Sequence, residues 1–93
     1  MFKPNKRAGL VPAKNNEKIG VADQKTMKFF ELNEAYLNIW ILCDGKKTED
    51  DISKEFYYYL VNNSPKTKKI EKDKIILEAK EIIKRLRKFN LIE

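Results

Sequence analysis

Apolar positions change rhythm along this chain, and the changes mark its elements. In "KIGVAD" they alternate from Ile19 through Val21, the period of a strand with one buried face. "RAGLVPA" reads as a short strand before it, ended by Pro12, and "KNNE" (Lys14–Glu17) as the polar turn between the two. "DQK" is a tight turn, and the β-prone, aromatic "TMKFFEL" (Thr26–Leu32) makes a third strand. From Asn33 the period lengthens. Tyr36, Ile39, Trp40 and Cys43 recur at helical spacing, with Asn33 as the capping residue and Asp44–Gly45 as the stop. Thr48 and Asp51 have capping-box spacing ahead of a second helix with the stripe Ile52, Phe56, Tyr59/Leu60. "VNNSPKTKK" carries its own breakers and reads as a loop. From about Asp73, Ile75/Ile76, Ala79, Ile82/Ile83, Leu86 and Phe89 describe the clearest amphipathic helix.

The order is therefore β-β-β-α-α-α. This is an α+β domain with a three-stranded antiparallel sheet followed by three helices, like a winged helix-turn-helix with its strands placed first. Met1–Lys6 is expected to be a flexible tail and residues 7–93 a single domain.

Charge divides the chain in three. Met1–Glu31 is net +4, Leu32–Pro65 net −3 and Lys66–Glu93 net +5, within a total of +6. Basic ends suit nucleic acid, an anionic surface or an acidic peptide. The cations are mostly Lys, which favours general attraction over bidentate phosphate recognition. The longest apolar run, within Tyr36–Cys43, is too short to span a bilayer, and "MFKPNKRAG" has no apolar centre of the kind a secretory signal needs. No membrane association is expected.

Candidate chemistry is sparse. There is no His and one Cys, which leaves no zinc or iron–sulfur ligand set, so no metal and no cofactor are expected. Cys43 fits a reducing, cytoplasmic setting and reads as a small buried hydrophobe, since nothing is present to activate it. Trp40 reads as a core anchor, and the acids of "EDD" as helix-start chemistry. Tyr57 and Tyr58 are either plain surface residues or a docking patch for another protein. A chain of 93 residues with no catalytic constellation is expected not to be an enzyme.

One stretch, "FFELNEAYLNIWILCDGKKTEDDI", resembles the PqqD-like family. The matching positions are Leu32, Asn33, Ile39, Trp40, Leu42, Cys43, Asp44, Gly45, Lys47, Thr48 and Ile52, and "IIKRLRKFNLIE" resembles the family's ending. Asn90 stands where the family usually has Gly, and Tyr36 is bulkier than the residue expected there. The resemblance spans about Ile19 to Glu93. It implies a recognition element for ribosomally made, post-translationally modified peptides. Such a domain binds the leader of a precursor peptide and presents it to a modifying enzyme, such as a radical-SAM protein or a cyclase. The leader is implied to add antiparallel to the third strand, with side chains entering a cleft against the third helix.

The residues are consistent with that use. A three-stranded sheet leaves a free edge, and strand addition combines main-chain bonds with side-chain pockets. The candidate peptide-binding residues are Lys25, Thr26, Met27, Lys28, Phe29 and Phe30 on the third strand, with Ile76, Ala79, Lys80, Ile83, Lys84 and Arg87 on the third helix. Alternation places Phe30 and Leu32 on one face, expected to be the core face, and Met27 and Phe29 on the other. Which face meets the peptide stays open, as does the choice between monomer and dimer. The alternative function is winged-helix DNA binding. Against nucleic acid, the second helix opens "TEDDISKE" and the third offers "EKDKIILE" at the end that would enter a groove.

Overall fold

The structure is a computed structural model that describes residues 2–64 and 70–93. It contains β1 (Leu10–Asn15), β2 (Lys18–Asp23) and β3 (Phe29–Glu31), then α1 (Glu34–Leu42), α2 (Glu49–Asn63) and α3 (Lys72–Lys88). The strands form one antiparallel sheet in the order β1-β2-β3. Fold class and element order are as the sequence implies.

Three details of the sheet differ from the sequence reading. Pro12 does not end β1 but lies inside it, opposite Val21. An edge strand tolerates this where the missing N–H faces away from the sheet. Lys14 and Asn15 belong to β1, so the turn shrinks to Asn16 and Glu17, with Asn16 at φ 59°. The third strand is shorter than Thr26–Leu32. Met27 takes φ 61° and is 83% exposed, while Asp23 organises the turn around it. The Asp23 carboxylate accepts from the Lys25 and Thr26 amides at 2.9 and 3.4 Å, and the Asp23 carbonyl accepts from the Met27 amide at 2.8 Å. The amide of Lys25, foremost, holds the Asp23 carboxyl below its ordinary pKa.

Gly20 sets how closely β3 approaches. A Cβ built there would lie 1.9 Å from the Phe30 carbonyl oxygen and 3.0 Å from the Glu31 Cα. No side chain fits without driving β3 off the sheet.

The helices begin and end on their expected signals. Asn33 Oδ1 accepts from the Tyr36 amide at 2.9 Å, and Thr48 and Asp51 form the reciprocal capping box. Beyond α1, Gly45 takes φ 78°. The α2 helix runs on to Asn63, three residues into the expected loop, and Pro65–Lys69 lie outside the described residues. After α3, Asn90 takes φ 60° and the Leu91 amide returns to the Leu86 carbonyl at 3.0 Å.

Residues 2–6, expected as a tail, are packed. Asn5 exchanges two main-chain bonds with Glu93, the Gly45 amide donates to the Pro4 carbonyl at 2.8 Å, and Pro4 is fully buried. Lys6 Nζ donates to the Ile41 and Cys43 carbonyls at 2.7 and 2.9 Å, neutralising the negative end of α1.

Ile39, Trp40, Cys43, Ile52, Phe56, Ala79, Ile83 and Leu86 make the centre of the core, with Val21, Leu32 and Leu91 joining it from the sheet and the tail. Trp40 Nε1 donates to the Leu91 carbonyl at 3.0 Å, pinning the chain end. Burial pushes the Cys43 thiol up to about 12, which keeps it protonated and inert. Among the described residues no helix is long and apolar enough to cross a membrane.

Candidate functional site: an open strand edge beside an apolar groove

Antiparallel pairing makes successive residues of a strand turn their N–H and C=O alternately toward and away from the neighbour. Two bonds set the phase between β2 and β3. The Asp23 amide donates to the Lys28 carbonyl at 2.8 Å, and the Leu32 amide donates to the Ile19 carbonyl at 2.9 Å. Lys28, Phe30 and Leu32 therefore bond inward to β2, and Phe29 and Glu31 point their amides and carbonyls outward. Among the described residues, neither outward pair has a hydrogen-bond partner beyond the sheet.

The opposite edge keeps one outward donor, Lys14. Gln24 donates to the Gly9 carbonyl at 2.9 Å, so Val11 and Ala13 bond inward and Leu10, Pro12 and Lys14 face outward. Leu10 already donates to the Arg7 carbonyl at 3.3 Å, and Pro12 has no N–H. Pro and occupied donors blunt an edge strand against pairing. One sheet thus has a largely blocked edge at β1 and an available one at β3.

A groove of about 590 Å³ lies against β3. Phe30, Leu32, Tyr36, Phe89 and Leu91 supply its core-side apolar surface, and Phe29, Glu31 and Asn33 also border it. Its size is that of a site for a few side chains. Phe30 and Leu32 turn toward the helices, as expected, and Phe29 takes the other face. The groove therefore receives the core-facing side of the strand. Tyr36 rises from the first turn of α1, and its hydroxyl accepts a 2.7 Å bond from Arg85 Nη1 on α3. That hydroxyl is the largest influence raising the Arg85 pKa, so the guanidinium stays charged.

The structure distributes the sequence-picked residues unevenly. Phe29 and Phe30 line the groove, and Lys28 lies beside them at the start of β3. Lys25, Thr26 and Met27 belong to the turn before the strand. On α3, Ala79 and Ile83 are completely buried core residues and present nothing to a guest. Ile76 is half-buried. Lys80 pairs with Asp50 of α2 at 3.2 Å, Lys84 with Glu81 at 3.5 Å, and the Arg87 guanidinium lies 4.4 Å from the Phe2 ring centre.

The physical reason is helical phase. At about 100° per residue, Ile76, Lys80 and Arg87 flank one side of the buried stripe and Arg85 and Phe89 the opposite side. The second flank is the one beside β3. The residues not singled out for the site were Glu31, Leu32, Asn33, Tyr36, Arg85, Phe89 and Leu91. Their one signal in the sequence was Tyr36, oversized for its position.

No family model and no curated protein matches the chain. Two solved structures share its fold. One is described as lasso peptide synthetase B1 complexed with the leader peptide, with a TM-score of 0.67 at 11% identity, covering 99% of each chain. The other is TbiB1 in complex with the TbiA(beta) leader peptide, with a TM-score of 0.64 at 15% identity, covering 96% of this chain and 94% of that one. At such identities the likeness is one of fold, extending over nearly the whole of each chain.

Proposed function

We propose that this chain is a peptide-recognition element that binds the leader segment of a ribosomally made precursor by strand addition at β3 and presents it to a modifying enzyme. The observation that carries the reading is the asymmetry of the sheet. The β1 edge is largely blocked by Pro12 and by the Leu10–Arg7 bond, whereas on β3 the Phe29 and Glu31 main-chain groups have no partner among the described residues and lie beside an apolar groove. Main-chain bonds along the edge supply affinity, and the groove selects one apolar side chain of the guest. The fold shared with two structures described as leader-peptide complexes supports the same reading.

In this role the chain is a non-catalytic chaperone in a biosynthetic system of the kind served by radical-SAM enzymes or cyclases. It raises the local concentration of the precursor near the enzyme and fixes its register. DNA binding is the weaker reading, because Lys80 is occupied by Asp50 and α2 opens with Glu49, Asp50 and Asp51. The test is calorimetric titration with the leader segment of a short peptide encoded beside this gene. Micromolar or tighter binding that a free core segment does not reproduce is the expected result. Absence of binding, together with salt-sensitive binding to duplex DNA, would reverse the assignment.

A further inference from the structure

Several cations of this chain are committed to partners. Arg7 pairs with Asp23 at 2.9 Å, Arg87 covers Phe2, and Lys80, Lys54 and Lys47 have carboxylates within 3.2 Å. Arg85 differs. Among the described residues no carboxylate lies within ion-pair distance, Glu81 and Glu78 acting on it only from further away, and its one side-chain bond is to the Tyr36 hydroxyl. That bond holds one arm of the guanidinium at Tyr36, a wall of the groove, and among the described residues the other N–H donors have no partner.

We propose that Arg85, positioned by Tyr36, is a specificity-determining residue that binds a carboxylate side chain of the guest peptide, two residues before its apolar anchor. This rests on the strand-addition reading. In antiparallel addition, the guest residue opposite Phe30 turns its side chain to the groove side. So does the residue two positions earlier in the guest, which lies opposite Leu32. Leu32 is followed at once by Asn33 and the turn that carries Tyr36, so this earlier side chain points toward the Arg85–Tyr36 pair. The guanidinium fork suits a carboxylate, and the Tyr36 bond reduces the freedom lost on binding. The guest residue between the two faces the other side of the sheet, beside Glu31, and takes no part in this contact.

The experiment is selection of short random peptides displayed on phage against the whole protein, sequencing the pools enriched by the wild type, by Arg85→Glu, by Arg85→Lys and by Glu31→Pro. The wild type should enrich Asp or Glu two positions before an apolar anchor by about fivefold over the library, the scale of an exposed but oriented ion pair. Arg85→Lys should keep part of that preference, and Arg85→Glu should replace it with Lys or Arg at the same position. Circular dichroism confirms that each variant is folded. If the binders depend on β3, being lost with Glu31→Pro, yet show no acidic preference, the role of Arg85 is overturned while the groove stands. An acidic preference placed after the anchor overturns the antiparallel direction. If no pool depends on β3, the strand-addition reading falls, and the inference with it.

Discussion

Replacing Glu31 by proline removes one outward donor and nothing that holds the sheet together. The Glu31 amide points away from β2, so no existing ladder bond is lost, and the preceding Phe30 is already in the extended backbone that proline requires. The Glu31 side chain contributes little, because its ion pair with Lys18 spans 3.9 Å between two well-exposed groups. A guest strand would lose one main-chain bond, a net ~0.5–1.5 kcal/mol, and would leave a partly desolvated carbonyl unpaired, which raises the cost to ~1–3 kcal/mol. Affinity should fall roughly 5- to 150-fold. Glu31→Ala, which keeps the amide, should bind within about twofold of the wild type. Fluorescence anisotropy with a labelled leader peptide measures the affinities, and a thermal melt checks the fold. A folded Glu31→Pro that binds like the wild type would refute the claim that this edge is the ladder. Lys28→Pro is the contrasting case. Its amide points at Thr26 Oγ1, 3.4 Å away, and its carbonyl serves Asp23, so the variant should destabilise the turn and lower the melting temperature.

Further outcomes follow from the packing. Gly20→Ala should cost about 3 kcal/mol or more, since its Cβ meets the Phe30 carbonyl rather than a movable side chain, and urea unfolding would read the loss. Trp40→Phe leaves the buried Leu91 carbonyl without its 3.0 Å donor and opens a small void, for about 2–4 kcal/mol in the same assay. Because burial raises the Cys43 pKa from 9.0 to about 12, the stability from the protonated thiol is complete below about pH 9 and is lost as pH climbs toward 12. At neutral pH a thiol reagent should label Cys43 only as fast as the protein unfolds. For Asp23 the sign is opposite. Its depressed pKa contributes stability that is present above 3.8 and lost as pH falls through the folded value, and Asp23→Asn should flatten that acid limb of the melting curve.

Element order, helix caps and the core face of the third strand were legible in the sequence because each is written in local chemistry. Asn33 and Thr48 each sit one residue before a helix, and alternation alone places Phe30 and Leu32 inside. What escaped depended on distant partners. Pro12 reads as a strand end until β1 is known to be an edge, and Met27 reads as strand until Asp23 is seen to draw the backbone into a turn. Residues 2–6 look loose because their partners, Glu93, Gly45 and the carbonyls at the end of α1, lie 35 or more residues away. On α3, periodicity locates the buried stripe but does not say which flank faces the sheet. Lys80 and Arg87 drew attention as charge, yet Arg85 and Phe89 occupy the side next to β3.

The central claim is that β3, and not β1, receives the guest strand, and amide hydrogen exchange tests it directly. With a leader peptide bound, the Phe29 and Glu31 amides, outward and without a partner among the described residues, should exchange at least about tenfold more slowly. Lys14, the remaining outward donor of β1, should exchange as before. Protection at Lys14 with Phe29 and Glu31 unchanged would contradict the claim.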